Sequence, residues 1–275
     1  MKRWNFIIGA GLVILGVFAL LQVGLDVIGI HFRIWWLFWP LLLIGVGVWI
    51  VTGFSRHPGG SDAPREQATV PLDGASEAAV TVRHGAGRLT IAGGAAGEPL
   101  VSGSFGGGLA TTKSMEGKRL RLEMGVRDRD VSRYIFGPWH RGWTGALDWD
   151  FTLSPAIPLS LRLETGASES RLSLGDLQVR ELVLKTGASS TTIDLPRAAG
   201  HTLVSVESGA ASVRIRVPQG VAASISVKSA LAGIHVDTAR FPRTGSGSYV
   251  SRDYDQAANK VEILVETGVG SVEIT

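Results

Sequence analysis

The sequence predicts a mainly β protein in which two N-terminal transmembrane helices precede a repetitive, β-solenoid-like domain of stacked β-sheet. Two long apolar runs without charge lie near the N-terminus. Further along, short stretches of alternating polar and apolar residues recur between glycines and prolines, as expected of half-buried strands. A four-residue motif repeats at a nearly constant spacing among these stretches. We therefore predict a transmembrane module at 1–54, a linker at 55–68 and an all-β domain at 69–275.

The two apolar runs cover residues 6–25 and 34–54 and contain no charged residue. Each matches the roughly 20 residues that a helix needs to cross the hydrocarbon core of a bilayer. Trp35, Trp36 and Trp39 lie near the start of the second run, and such rings prefer the headgroup region. A cleaved signal peptide is the alternative for the first run, but no small-residue cleavage site follows it. We predict a protein of the cell membrane with two spans.

Basic residues flank the outer ends of this pair of spans. Lys2 and Arg3 precede the first run, Arg56 and Arg65 follow the second, and the connecting segment carries Arg33 alone. Because Lys and Arg are retained on the cytoplasmic side, we predict that the N-terminus and the β domain are both cytoplasmic. If one of the two runs did not span the bilayer, the β domain would lie outside the cell.

The basic excess of the chain belongs to its membrane region. Residues 1–58 hold four basic residues and one acidic residue, which accounts for the whole formal net charge of +3. The rest of the chain is formally neutral and lacks the basic footprint of a nucleic-acid-binding domain, so nucleic acid is excluded as a partner. The chain has no cysteine, which excludes disulfides, thiolate metal sites and a cysteine nucleophile.

The repeated motif is Thr-Gly-Ala-Ser or a variant of it. Its second residue stands at 166, 187, 209 and 230, so successive copies are 21, 22 and 21 residues apart. Single copies occur at 84–87 and 267–270. An alternating strand precedes most copies, and an apolar pair such as Leu172 and Leu174 follows. A period near 20 residues predicts that one small unit is stacked repeatedly, with the motif as a thin turn between short strands.

Two stretches resemble a known family. Residues 39–51, WPLLLIGVGVWIV, resemble the second helix of the LiaF-like transmembrane module. Residues 161–196, with the repeated L-x-L-x-T-G-A-S and the ending Asp194-Leu195-Pro196, resemble a toast-rack-type, adhesin-like β domain. Relatives are regarded as membrane-linked components of the bacterial envelope-stress response that act on a sensor kinase or on neighbouring membrane proteins. The resemblance implies a regulator or scaffold and supplies no functional residue.

No sequence pattern indicates catalysis, and we predict that the protein is not an enzyme and has no cofactor or metal. The six histidines are scattered without ligand spacing, and the Gly-Ala-Ser turns lack the second glycine of a nucleophile elbow. Asp148 and Asp150 could form a carboxylate pair for glycoside chemistry, but one pair without a second cluster is weak evidence. The simpler interpretation is that Trp149 packs inward while both carboxylates are solvated.

Residues 127–143 depart from the repeats because they mix arginines with aromatic residues. Such mixtures are typical of interface hot spots and of loops at membrane surfaces. The alternative is that the rings cap an open end of the β domain as ordinary core, and the sequence favours neither interpretation. The candidate residues for binding lipid headgroups or a protein partner are Arg133, Tyr134, Phe136, Trp139, His140, Arg141 and Trp143.

Three functions follow, in this order. The first is a non-catalytic, membrane-anchored regulator or scaffold in the envelope-stress response, with membrane lipid and a sensor kinase or other membrane protein as partners. The second is a surface-exposed adhesin-like or glycan-binding module, which needs the β domain outside the cell. The third is a polysaccharide-processing enzyme, which needs a groove lined by several carboxylates or basic groups. Open ends of a stacked-strand domain could also pair with another copy, so an oligomer is allowed.

Overall fold

The computed structural model describes residues 65–127 and 147–275, and these residues form β-strands and no helix. The prediction of a mainly β domain of stacked strands is confirmed. Among the described residues, no helix has the length and apolarity to span a membrane. The chain divides into two compact units, Met1–Gly59 and Gly60–Thr275, and every described residue belongs to the second. Both predicted transmembrane helices lie outside the described residues.

The described residues form one sheet of thirteen strands. Six of the strands are 15 to 17 residues long, and the others are short. In chain order they are β1 (Arg65–Val70), β2 (Glu77–Gly93), β3 (Val101–Gly106), β4 (Leu109–Glu116), β5 (Arg119–Val126), β6 (Trp149–Leu153), β7 (Leu159–Ser173), β8 (Val179–Asp194), β9 (His201–Arg216), β10 (Ala222–Val236), β11 (Arg243–Gly245), β12 (Ser248–Val250) and β13 (Lys260–Ile274).

The six long strands pair in parallel in the order β2-β7-β8-β9-β13-β10. The last strand of the chain thus inserts between β9 and β10, which departs from the sequential stacking that a simple repeat predicts. At the β2 end, β5 and β4 extend the first half of β2, while β6, β3 and β1 extend its second half. At the β10 end, β12 and β11 extend the segment Ser224–Ser226.

Each long strand folds back at its middle. β7 has 15 residues and would be roughly 50 Å long if it were straight. The connection 174–178 leads from its end to the start of β8, which pairs with the start of β7. Because so short a connection spans at most roughly 20 Å, the second half of β7 must run back alongside the first. One long strand with its connection is therefore one flattened coil, with a first arm, a corner and a second arm.

The burial pattern locates the corner at the repeated motif. In β7 the buried positions are odd-numbered from Leu159 to Thr165 and even-numbered from Ser168 onward. This change of parity turns both arms towards one shared core. Fully buried side chains from both arms fill that core, each contributing about 1.5–3 kcal/mol relative to exposure. In two neighbouring coils they are Leu163, Leu172, Leu174, Leu182, Leu184 and Ile193.

Two predictions about local structure are corrected. The motifs are not turns between separate short strands, because the ladder continues on both sides of each glycine, with Thr165 opposite Thr186 and Ala167 opposite Ala188. The stacked copies pair with one another, so one long bent strand replaces two short ones. In addition, β1 begins at Arg65, inside the segment 55–68 predicted as linker. Its polar composition suits an edge strand that pairs with β3.

Candidate functional site

The stacked corners form a shallow groove of about 1120 Å³ that runs across the coils. Its lining combines the corner backbone with charged and hydroxyl-bearing side chains from six coils. We call this surface the corner groove. The charged residues that line it are Arg83, Glu164, Lys185, Glu207, Lys228 and Glu266.

Glycines at the corners allow the coils to approach closely. A Cβ at Gly187 would lie 3.1 Å from the carbonyl oxygen of Gly166, and a Cβ at Gly268 would lie 2.7 Å from that of Gly209. At Gly166 a Cβ would overlap the carbonyl oxygen of Gly85. These glycines are therefore needed for contact between coils and not for a left-handed backbone. The corner groove consequently has a floor of main-chain atoms.

The charged residues form a row of ion pairs between neighbouring coils. Lys185 Nζ lies 2.8 Å from Glu207 Oε2, and Lys228 Nζ lies 3.0 Å from Glu266 Oε1. Arg83 Nε donates a hydrogen bond of 3.3 Å to Glu164 Oε2. All six side chains are exposed, so each pair contributes at most about 1 kcal/mol to stability.

A column of threonine and serine side chains lies beside these pairs, and most of them point into the domain at the corners. Thr165 Oγ1 donates a hydrogen bond of 2.9 Å to Thr186 Oγ1 in the next coil. Ser208 Oγ and Thr267 Oγ1 are buried without a hydrogen-bond partner among the described residues. At the β2 end, His84 occupies the position that threonine or serine holds in the other coils.

His84 closes the corner groove at its β2 end. Its Nε2 lies 2.7 Å from the carbonyl oxygen of Leu147, which only accepts, so Nε2 carries the proton. The ring centroid lies 5.3 Å from that of the buried Trp149. Burial lowers the pKa of His84, while the Leu147 carbonyl and the Asp148 carboxylate oppose that shift. The structure thus favours the neutral imidazole.

The two chain ends that border residues 128–146 meet beside Gly107. A Cβ there would lie 2.8 Å from Leu147 Cδ2 and 3.0 Å from Val126 Cγ1. Arg127 lies at one of these ends, and its Nη2 donates a hydrogen bond of 2.8 Å to Glu66 Oε1. The backbone N–H of Leu109 donates a hydrogen bond to Glu66 and lowers the pKa of its carboxyl. Desolvation of the carboxyl raises this pKa, and the Arg127 guanidinium lowers it.

The seven residues that the sequence suggests for binding lipid or a protein lie between these two ends, outside the described residues. Their role stays a prediction. They are Arg133, Tyr134, Phe136, Trp139, His140, Arg141 and Trp143.

Asp148 and Asp150 do not form the carboxylate pair that glycoside chemistry would need. Asp148 accepts a hydrogen bond of 2.9 Å from the backbone N–H of Arg88 and lies 3.7 Å from Arg65 Nη2. Asp150 is exposed and Trp149 between them is buried, as predicted, but the Asp148 side chain is only 16% exposed and is not solvated as expected. Within residues 65–127 and 147–275, no group of three His, Cys, Asp or Glu side chains could hold a metal ion.

Sequence reasoning found the motifs but missed the corner groove. A signal was present, because the residue two positions before the glycine, or before Ala230 in its place, is charged in all six copies. The pattern could not be interpreted while the motifs were taken as separate turns. Stacking in register is what turns one charge per copy into a row.

Two protein families match the chain. Residues 59–216 match the family described as the N-terminal domain of toast_rack. Residues 169–274 match the family described as cell wall-active antibiotics response LiaF, C-terminal. Both matches include the repeats whose sequence resembles a toast-rack β domain.

A solved structure shows a similar fold. A candidate cell adhesion protein from Clostridium sporogenes has a TM-score of 0.67 and 20% sequence identity, covering 77% of this chain and 98% of its own. At that identity the likeness shows the fold alone. A candidate adhesin from Bacteroides fragilis covers 77% of this chain and 96% of its own, but its TM-score of 0.24 and identity of 8% support no argument. No curated protein matches the chain.

Proposed function

Because the chain belongs to the toast_rack family, as its sequence resemblance predicted, we propose that it is a membrane-anchored, non-catalytic component of the bacterial response to cell wall-active antibiotics. The match of residues 169–274 to the C-terminal family of LiaF supports the proposal, because the description of that family names such a response. Two N-terminal helices hold the chain in the membrane, and the β domain in the cytoplasm presents a surface to a sensor kinase or another membrane protein.

The row of exposed ion pairs along the corner groove is the observation that supports a role in presenting a surface to a partner. The coils stack at a spacing of about 4.8 Å, so the charges are held at fixed intervals along the stack. Each exposed pair is weak, and a charged partner segment can therefore exchange with it at little cost. A rigid row of exchangeable charges is suited to select an extended polar segment by electrostatic complementarity.

The predicted binding segment supports the same role. Residues 128–146 join the described domain at Leu147. The carbonyl oxygen of Leu147 accepts a hydrogen bond from His84 Nε2 at the end of the corner groove. The aromatic residues Trp139 and Trp143 then supply apolar contact area, while the groove supplies charge. We propose that this segment and the corner groove both contribute contacts to lipid headgroups and a membrane protein.

We test the groove in cells that lack the gene, complemented with the full chain and carrying a reporter of cell-envelope stress. The variant Lys185→Glu breaks the pair with Glu207 and reverses one charge of the row. We expect it to lose most of the effect that the wild-type chain has on reporter induction by a cell wall-active antibiotic.

Arg214→Glu is the matched control. It breaks an exposed pair of similar length, 2.7 Å to Glu273, on the second arm of β9 and away from the groove. This variant is expected to behave as wild type. Equal behaviour of the two variants at equal membrane abundance, together with an unchanged response of Trp139→Ala/Trp143→Ala, would overturn the proposal.

The second candidate is a surface-exposed adhesin-like or glycan-binding module. The description of the Clostridium sporogenes protein as a candidate adhesion protein favours it, although that likeness concerns the fold alone. The two candidates differ in the side of the membrane on which the β domain lies, because a cytoplasmic domain cannot reach extracellular glycans.

A further inference from the structure

The second arm of β10 is an open strand edge at one end of the stack. We call residues 229–236 the β10 edge. One side of it pairs with β13, from Ser229 opposite Thr267 to Val236 opposite Ile274. On the other side of β10, β12 covers Ser224–Ser226, and no described strand pairs beyond that point. The outward backbone N–H and C=O groups of this edge can therefore accept another strand.

Two large apolar side chains of the β10 edge are exposed, and one of them, Ile234, stands at a position that is buried in the neighbouring coils. Ile234 is 37% exposed, whereas Val272 and Val213, at the same position in the neighbouring coils, are each 1% exposed. Leu231 is 77% exposed, and its neighbour Val269 is 52% exposed. The core is thus open at this end of the second arm.

The β10 edge also lacks the features that normally prevent strands from pairing. Natural edges are blunted by lysine, by proline or by an inward-pointing charge. Residues 229–236 contain no proline, and His235 is their single ionisable residue. An unprotected edge beside an uncovered core indicates a surface that is covered in the working protein.

We propose that the β10 edge pairs with the β10 edge of a second copy, antiparallel, about a two-fold axis through Gly233. Antiparallel addition already occurs on this side of β10, where β12 pairs with its first arm. The two-fold places Ala232 of one copy opposite Ile234 of the other on the core side, a small residue against a large one. It places Gly233 opposite itself and brings no two like charges face to face. Such a contact is isologous and closed, which suits a dimer.

The parts of the chain outside the described residues are attached to the domain far from this edge. They join the described domain at Arg65, Arg127 and Leu147, all in strands or connections at the β2 end. Five strand spacings, roughly 24 Å, separate β2 from β10. The segment 128–146 is tethered at both ends and would have to cross that distance twice. A second copy meets no such limit.

The chain has no cysteine, so one introduced thiol reports the contact. A Cβ at Gly233 would meet nothing within 4 Å among the described residues, so the full-length Gly233→Cys variant should fold. Opposed Cα atoms in an antiparallel pair lie about 4.5–5.5 Å apart, which a disulfide can bridge. Mild oxidation in native membranes should yield a covalent dimer of two 29.1 kDa chains, at least about tenfold faster than for Gly85→Cys.

Gly85 is the matched control because it is also exposed with open space at its Cβ, but lies at the β2 end. Equal rates for the two cysteine variants would overturn the proposal. So would a Gly233→Cys product whose mass is that of this chain plus a different protein.

A second variant tests the same contact without a thiol. Leu231→Lys adds the kind of charge that blunts natural edges, at a residue exposed enough to accept it. Native mass spectrometry of the full chain in detergent should show dimers for wild type and for Leu203→Lys, an exposed leucine in β9, and monomers for Leu231→Lys. Monomeric wild type, or a dimeric Leu231→Lys variant, would contradict the proposal.

Discussion

At the scale of single residues, His84 shows how one substitution in a repeat creates a distinct environment. Threonine or serine holds the equivalent position in the other coils, where a hydroxyl is small enough to sit at the corner. His84 instead reaches Leu147 with Nε2 and packs against Trp149. Its Nδ1 is buried without a partner among the described residues, so protonation would add a buried N–H that lacks an acceptor.

This environment predicts a loss of stability on acidification. Burial lowers the pKa of His84 in the folded chain below the ordinary value of 6.5 that the unfolded chain keeps. The unfolded state therefore binds more protons once the pH falls below about 6.5, and stability falls with it. Above that pH the contribution of His84 is complete and constant.

The variant His84→Thr restores the residue of the neighbouring coils and should reduce this dependence on pH. At pH 7.5 we expect it to be less stable than wild type by about 1–2 kcal/mol, because the bond to Leu147 is lost. At pH 5.5 the difference should shrink. Thermal unfolding of the full chain in detergent, followed by fluorescence, measures both, with His201→Thr as the exposed control. A difference that stays constant from pH 7.5 to 5.5 would rule out this role of His84.

At the scale of elements, the corner glycines decide how closely one coil packs on the next. Gly166 faces the carbonyl oxygen of Gly85, whereas Gly85 itself, as the first of the column, faces open space among the described residues. The same substitution at these two positions therefore isolates the contact between coils.

We expect Gly166→Ala to destabilise the domain by about 1–3 kcal/mol, because the added methyl group must push two coils apart. Gly85→Ala should change stability by less than about 0.5 kcal/mol. Thermal unfolding midpoints of the full-length variants provide the comparison. If both variants unfold at the same temperature, the glycines are not required for stacking.

Local patterns predicted the arms of the coils but not their order or the groove. Alternation marked strands such as 161–164 and 171–174, because each has one face in the core. The insertion of β13 between β9 and β10 depends on pairing between residues distant in sequence, and no local pattern records that choice. The corner groove likewise arises from stacking, although Lys185 and its equivalents were visible as a charge before each motif.

At the scale of the whole molecule, the stack has two different ends. The β2 end is extended along both arms by short strands and carries the attachment of residues 128–146. The β10 end is extended along its first arm and is open along its second in the described structure. The two proposals are therefore compatible, because the corner groove that would meet a partner and the β10 edge that would meet a second copy are different surfaces.

Sidedness of the β domain tests the central claim most directly. The full chain is exposed to protease in intact cells and in inside-out membrane vesicles, and fragments are detected with an antibody to the β domain. A cytoplasmic regulator predicts protection in cells and cleavage in vesicles. Cleavage in intact cells would contradict the predicted topology and put the adhesin-like or glycan-binding function first.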